Sequence, residues 1–193
     1  MEYTLHAYID QVRPLSIHAR LAIGIRLFER YVRLRGLEDD SIWEYIEAMW
    51  SFPIAEDKKA WESKRGDLAD FGLGDELPDE LDEELQTLGI SEDYFGLWVS
   101  SVTELAWNNL LLGPQDEESL DHLEILLQLA SMSGVAVPEL QPFKDSLFVE
   151  NEGWGRQLSS CDIEKWQLTS CSVQLSVEKH TLTIQEEAEL FFD

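Results

Sequence analysis

Apolar residues in the first third of the chain recur at helical spacing. Leu15, His18, Ala22, Ile25, Phe28 and Val32 form one stripe, and Leu21, Ile23 and Leu27 widen it. Pro14 suits a first helical turn and Gly36 a C-terminal stop, so this helix is predicted at the centre of the core. Ser41-Ile42-Trp43-Glu44 has the pattern of a capping box. Trp43, Ile46, Met49 and Trp50 then share the face of a second helix that Pro53 ends. Residues 15–52 are therefore expected to form a helical hairpin.

The same logic carries on downstream. A short helix is expected from Glu56 to Lys64, closed by Gly66, with a Gly- and Asp-rich loop at 67–74. Pro78 opens a helix through Leu88, with Gly89 just past its end. Ser91 caps a longer one carrying Tyr94, Trp98, Val102, Leu105 and Asn109, stopped by Gly113-Pro114. Asp116 to Ser133 is amphipathic through Leu120, Leu123, Leu127 and Ala130, and Gly134 ends it. Beyond Pro138 the pattern changes. Val173, Leu175 and Val177 alternate with polar residues, as do Leu182 and Ile184, which predicts a β-hairpin turning near Glu178-Lys179. A lone hairpin is marginal and must pack on something. The expected fold is thus mainly α. It is one domain over 1–193, a bundle of helical hairpins over 1–137 with an irregular, β-containing appendage over 138–193.

Charge sharpens this picture. The chain carries 39 acidic against 14 basic residues, a formal −25 over 193 residues. Residues 1–36 run the other way, with Arg13, Arg20, Arg26, Arg30, Arg33 and Arg35 against Glu2, Asp10 and Glu29. From Gly66 to Phe143 there is neither Lys nor Arg, while that stretch holds eighteen carboxylates. The densest part is Asp75, Glu76, Asp79, Glu80, Asp82, Glu83 and Glu84, and a second group is Asp116, Glu117 and Glu118. Acids in a first helical turn favour the positive end of the helix dipole, which accounts for Asp79, Glu80 and the 116–118 group. It does not account for Asp82, Glu83 and Glu84, which repel their neighbours at a cost of a few tenths of a kcal/mol per pair. These ten residues are the candidate partner-binding set. Such a field attracts a cationic protein and repels nucleic acid and anionic membranes.

Other chemistry finds no pattern. No phosphate-binding glycine loop is present, His6, His18, His122 and His180 are scattered, and Cys161 and Cys171 match no zinc spacing. The acidic run has Pro78 where a calcium loop needs flexible ligands. Neither a cofactor nor catalysis is expected. The start, Met1-Glu2-Tyr3-Thr4-Leu5-His6, has no signal-peptide pattern and no window is long enough for a membrane span, so a cytoplasmic location with free thiols is expected. Trp43, Trp50 and Trp98 fall on apolar stripes and are expected in the core, while Trp61 and Trp154 are expected to pack in the core or a loop, with a role as interface anchors the second reading.

The segment His18-Ala19-Arg20-Leu21-Ala22-Ile23-Gly24-Ile25-Arg26-Leu27-Phe28-Glu29-Arg30-Tyr31, followed by Ile42-Trp43-Glu44-Tyr45-Ile46, resembles immunity proteins of bacterial polymorphic-toxin and contact-dependent inhibition loci. The likeness covers about the first 55 residues. It implies a cytosolic binding inhibitor and carries over no particular site residue. Together with the charge, it leads to the expectation of a helical inhibitor that covers the cationic cleft of a basic toxin domain, such as a nuclease. The alternatives are an acidic secretion chaperone or adaptor, for which an exposed apolar groove and a homodimer would be diagnostic, and an enzyme with carboxylate chemistry, which would show a concave pocket with paired acids.

Overall fold

The computed structural model describes residues 2–70 and 77–176, and their side chains except those of residues 2 and 65–70. Helix α1 (Leu5–Val12) leads through a turn into α2 (Ile17–Arg35), and α3 (Asp40–Ser51) folds back on α2. Then come α4 (Lys58–Asp70), α5 (Asp79–Leu88), α6 (Glu92–Leu112) and α7 (Asp116–Met132).

Helix α2 is the axis of the molecule. Every residue from Ile17 to Ile25 is buried, so this half of the helix has no solvent face and must be surrounded. Helices α6 and α7 pack on it and on each other. Gly24 makes the approach close: a Cβ there would lie 2.8 Å from Cδ1 of Leu105 and 2.9 Å from Cδ1 of Leu126. Phe28 is fully buried among Tyr45, Phe95 and Trp98, with ring centroids 5.8–6.3 Å apart. Gly36 ends α2 in the left-handed conformation (φ 75°), as its position predicts.

Several local signals act differently from expectation. Ser16, not Pro14, starts α2: its hydroxyl accepts the Ala19 N–H, while Pro14 sits in the preceding turn. Asp39 caps α3 by accepting the Ser41 N–H at 2.9 Å, so the cap lies two residues ahead of the Ser41-Glu44 box. Helix α4 runs through Gly66 to Asp70 instead of stopping there. Trp43 is only partly buried, its ring under the Arg33 guanidinium, whereas Trp50 and Trp98 are in the core.

The elements not expected from the sequence include α1, although its Leu5, Tyr8, Ile9 and Val12 do recur at helical spacing, the strand β1 (Glu2–Thr4) and α8 (Ser160–Gln167). Strands β2 (Val137–Pro138) and β3 (Cys171–Ser176) complete a sheet of order β1-β3-β2, parallel on one side of β3 and antiparallel on the other. The expected first hairpin strand therefore exists as β3, and it pairs with both β1 and β2. The rest of that hairpin, Val177 to Ile184, lies outside the described residues. Tyr8 Oη donates to the Pro138 carbonyl at 2.8 Å, which ties this end of the chain to α1, and Trp166 Nε1 donates to the Pro142 carbonyl at 2.9 Å within it. Cys161 and Cys171 are both free, the second half-buried.

Candidate functional site

The acidic residues singled out by the sequence are not all in one place. Asp75 and Glu76 lie outside the described residues. Asp79, Glu80, Asp82, Glu83 and Glu84 lie on α5, which Leu81 and Leu85 anchor to the core. Glu84 turns inward and accepts the backbone N–H groups of Glu38 (2.8 Å) and Asp39 (3.1 Å) in the α2–α3 turn. That clasp sets α5 beside the C-terminal end of α2. It also brings in Glu38, Asp39 and Asp40, which sequence spacing alone could not associate with α5. Glu92 and Asp93, exposed in the first turn of α6, follow directly from the short α5–α6 turn.

Asp116, Glu117 and Glu118 are elsewhere. Asp116 pairs with Arg20 at the N-terminal end of α2 (2.7 Å), and Glu117 pairs with Arg13 (3.0 Å). The two acid groups thus lie toward opposite ends of α2, a helix of 19 residues and so about 28 Å long. Glu118 is exposed.

Arg20 has no exposure at all. One terminal nitrogen donates to the Asp116 carbonyl (2.8 Å) and Ser119 Oγ (2.6 Å), the other to Asp116 Oδ1 and the Arg13 carbonyl. The guanidinium also lies over the Phe148 ring. Burial lowers its pKa and the Asp116 contact opposes that shift. This is a fold-building constellation, and it accounts for Asp116 without invoking a partner.

The remaining ion pairs are also away from α5. Glu29 holds both Arg26 and Arg33, Arg156 holds Asp145 and Asp162, and His6 faces Asp10. Among the described residues, no carboxylate of α5 is paired with a base. Asp79, Glu80 and Glu83 are exposed, and Asp82 receives only the Gln86 amide (2.8 Å).

A second feature lies at the opposite, N-terminal end of α2. A groove of about 1210 Å³ runs between the 53–59 segment, the end of α6 and the 150–158 loop. That loop winds around Glu150, whose carbonyl accepts the N–H groups of Gly153 and Gly155 and whose side chain accepts the Leu147 N–H. Asn151 (φ 46°) and Glu152 (φ 55°) take the left-handed conformation in its tip. Gly155 (φ 87°) is forced: a Cβ there would meet Ser146 Oγ at 2.3 Å and Ser16 at 2.5 Å. The result is Trp154 laid against His18, with ring centroids 5.3 Å apart. Trp61 is buried, its indole N–H donating to Ser51 Oγ at 2.8 Å, so of the two candidate anchors only Trp154 reaches a surface groove.

No helix among the described residues is long and apolar enough to cross a membrane. No family model matches this chain, and neither a curated protein nor a solved structure matches it.

Proposed function

We propose that this chain is a binding inhibitor, an immunity protein whose acidic end covers the cationic cleft of a toxin domain such as a nuclease. One observation carries the reading: among the described residues the carboxylates of α5 have no base paired with them, whereas Arg13, Arg20, Arg26, Arg33 and Arg156 are each engaged in internal pairs elsewhere. Exposed like charges on one short helix disfavour the free protein slightly. A partner rich in Lys and Arg relieves that cost, because nuclease clefts hold phosphates with those residues.

The mechanism follows from placement. Leu81 and Leu85 seat α5, and Glu84 clasps the α2–α3 turn, so Asp79, Glu80 and Glu83 are presented on a fixed support. Complementary fields raise the association rate toward 10⁸–10⁹ M⁻¹s⁻¹ at low salt, on the order expected for steered complexes. Salt weakens such a complex mainly through the on-rate, since the screening length is about 10 Å at 0.1 M.

The test pairs this protein with the basic domain encoded beside its gene. Co-expression is expected to restore growth of a host carrying that domain, and the triple change Asp79→Lys, Glu80→Lys and Glu83→Lys to remove the protection. Protection that survives the triple change moves the interface off α5. A neighbouring product that is harmless, and is secreted only in complex with this chain, replaces the inhibitor by the chaperone reading.

A further inference from the structure

The groove at the N-terminal end of α2 contains a polar group that the fold does not use. His18 is 6% exposed, and neither of its ring nitrogens has a hydrogen-bond partner. Among the described residues, it alone leaves two side-chain polar atoms in that condition. An unmet buried donor or acceptor destabilises the fold, because it has given up its hydrogen bonds to water and gained none. A position selected for packing alone would carry an apolar ring here.

The state of the imidazole is set by its surroundings. Burial, and then the positive charge of Lys58, lower its pKa to about 3. At neutral pH it is therefore uncharged and offers one N–H donor and one acceptor.

The groove as a whole is balanced on a strongly negative protein, with Lys58, Lys59 and Arg156 against Glu56, Asp57 and Glu150, and the base beside His18 is Lys58. Lys58 stands over the Phe52 ring at 4.4 Å and 5.8 Å from the Trp154 ring centroid. It donates to the Phe52 carbonyl, which leaves further N–H groups of the ammonium free to bind. His18 is the second residue of α2 and Lys58 the first of α4, so two helix N-termini, each carrying a partial positive charge, meet at this point. Two of the three lining acids are turned to the backbone, Asp57 accepting the Lys59 and Ala60 N–H groups and Glu150 the Leu147 N–H, while Glu56 is exposed at the rim. Pro53, Leu158 and Trp154 supply flat apolar wall.

We propose that this groove binds a small organic anion, a carboxylate on a planar apolar body, with Lys58 and the His18 N–H on the carboxylate and Trp154 against the plane. Aromatic surface and a few convergent polar groups are the usual make-up of a small-molecule site. The groove exceeds the roughly 300–1,000 Å³ of such sites, so the ligand occupies its deep end at His18 and leaves the outer part to solvent. This site is independent of the acidic end of α2.

The experiment titrates indole-3-acetate and benzoate into the full chain and follows the His18 ring and Trp154 indole signals by NMR, with benzamide and inorganic phosphate as controls. Saturable shifts with Kd below about 1 mM are expected for the aromatic carboxylates, with Lys58→Met weakening them by about tenfold or more. His18→Phe is expected to abolish the response while the free protein melts at the same temperature or higher. Lys58→Met, at a half-buried rim position, decides the matter if His18→Phe does not fold. The proposal is overturned if neither carboxylate saturates by about 10 mM. It is equally overturned if the shifts survive both substitutions, or if benzamide or phosphate does as well.

Discussion

The two ends of α2 use charge in opposite ways. At the N-terminal end, Arg20 and Asp116 are locked together, Arg13 takes Glu117, and His18 is kept neutral by burial. At the C-terminal end, Glu84 clasps the backbone of the α2–α3 turn, and Asp79, Glu80 and Glu83 stand in solvent with no base paired among the described residues. The same residue types thus build structure at one end and a field at the other. The formal charge of −25 is therefore not a uniform coat.

Arg20→Ala makes the sharpest test of that contrast. Removing one partner of a buried ion pair costs about 3–5 kcal/mol, which is a large share of the 5–15 kcal/mol typical of a domain. Urea melts should show a loss in that range, with Asp116→Asn costing less because its side chain is 42% exposed. A loss below about 1 kcal/mol for Arg20→Ala would make the N-terminal pairs as dispensable as a surface pair.

Midway along α2, Phe28→Ala is expected to cost about 3–5 kcal/mol, as for a fully buried aromatic residue. Trp43→Ala should cost clearly less, because its ring is only partly buried under Arg33. Equal losses would show that the Arg33–Trp43 contact carries more than exposure indicates.

Acid separates the ends next. His18 titrates near 6.5 when unfolded and near 3 when folded, so the unfolded chain binds the extra proton between those values. Stability from this group is full above about pH 6.5 and falls by up to about 1.4 kcal/mol per pH unit as pH drops toward 3. His18→Phe is expected to remove that part of the pH dependence. Identical acid profiles for the two proteins would mean that His18 is accessible to protons in the folded state.

The smallest change in stability belongs to the acidic end. Lysine at 79, 80 and 83 should shift stability by no more than about 0.5 kcal/mol per site, with either sign. Helical circular dichroism should be unchanged. A cooperative loss of structure would show that these residues belong to the fold, as Asp116 does through buried Arg20.

Much of the architecture was legible because it depends on local chemistry. Apolar stripes marked α2, α3, α6 and α7, and Gly36, Gly89 and Ser91 marked ends that the backbone observes. Helix α8 could have been found from Ser159 and Asp162, which form a reciprocal capping box in a segment with little other periodicity. Strand β1 could not, since three residues have no period and Glu2–Thr4 becomes a strand only by pairing with β3.

By itself, the sequence determined the helical class, the central place of α2 and the concentration of acid without base from 66 to 143, because periodicity, capping and composition are local properties. Only the tertiary structure decided which acids share a surface. Glu84 reaches back 46 residues to Glu38, and Arg20 reaches forward 96 to Asp116, contacts that no spacing rule encodes. The same holds for His18. On the sequence it is one more position of an apolar stripe, and only the Trp154 loop, more than 130 residues away, places it at a groove with both ring nitrogens unused.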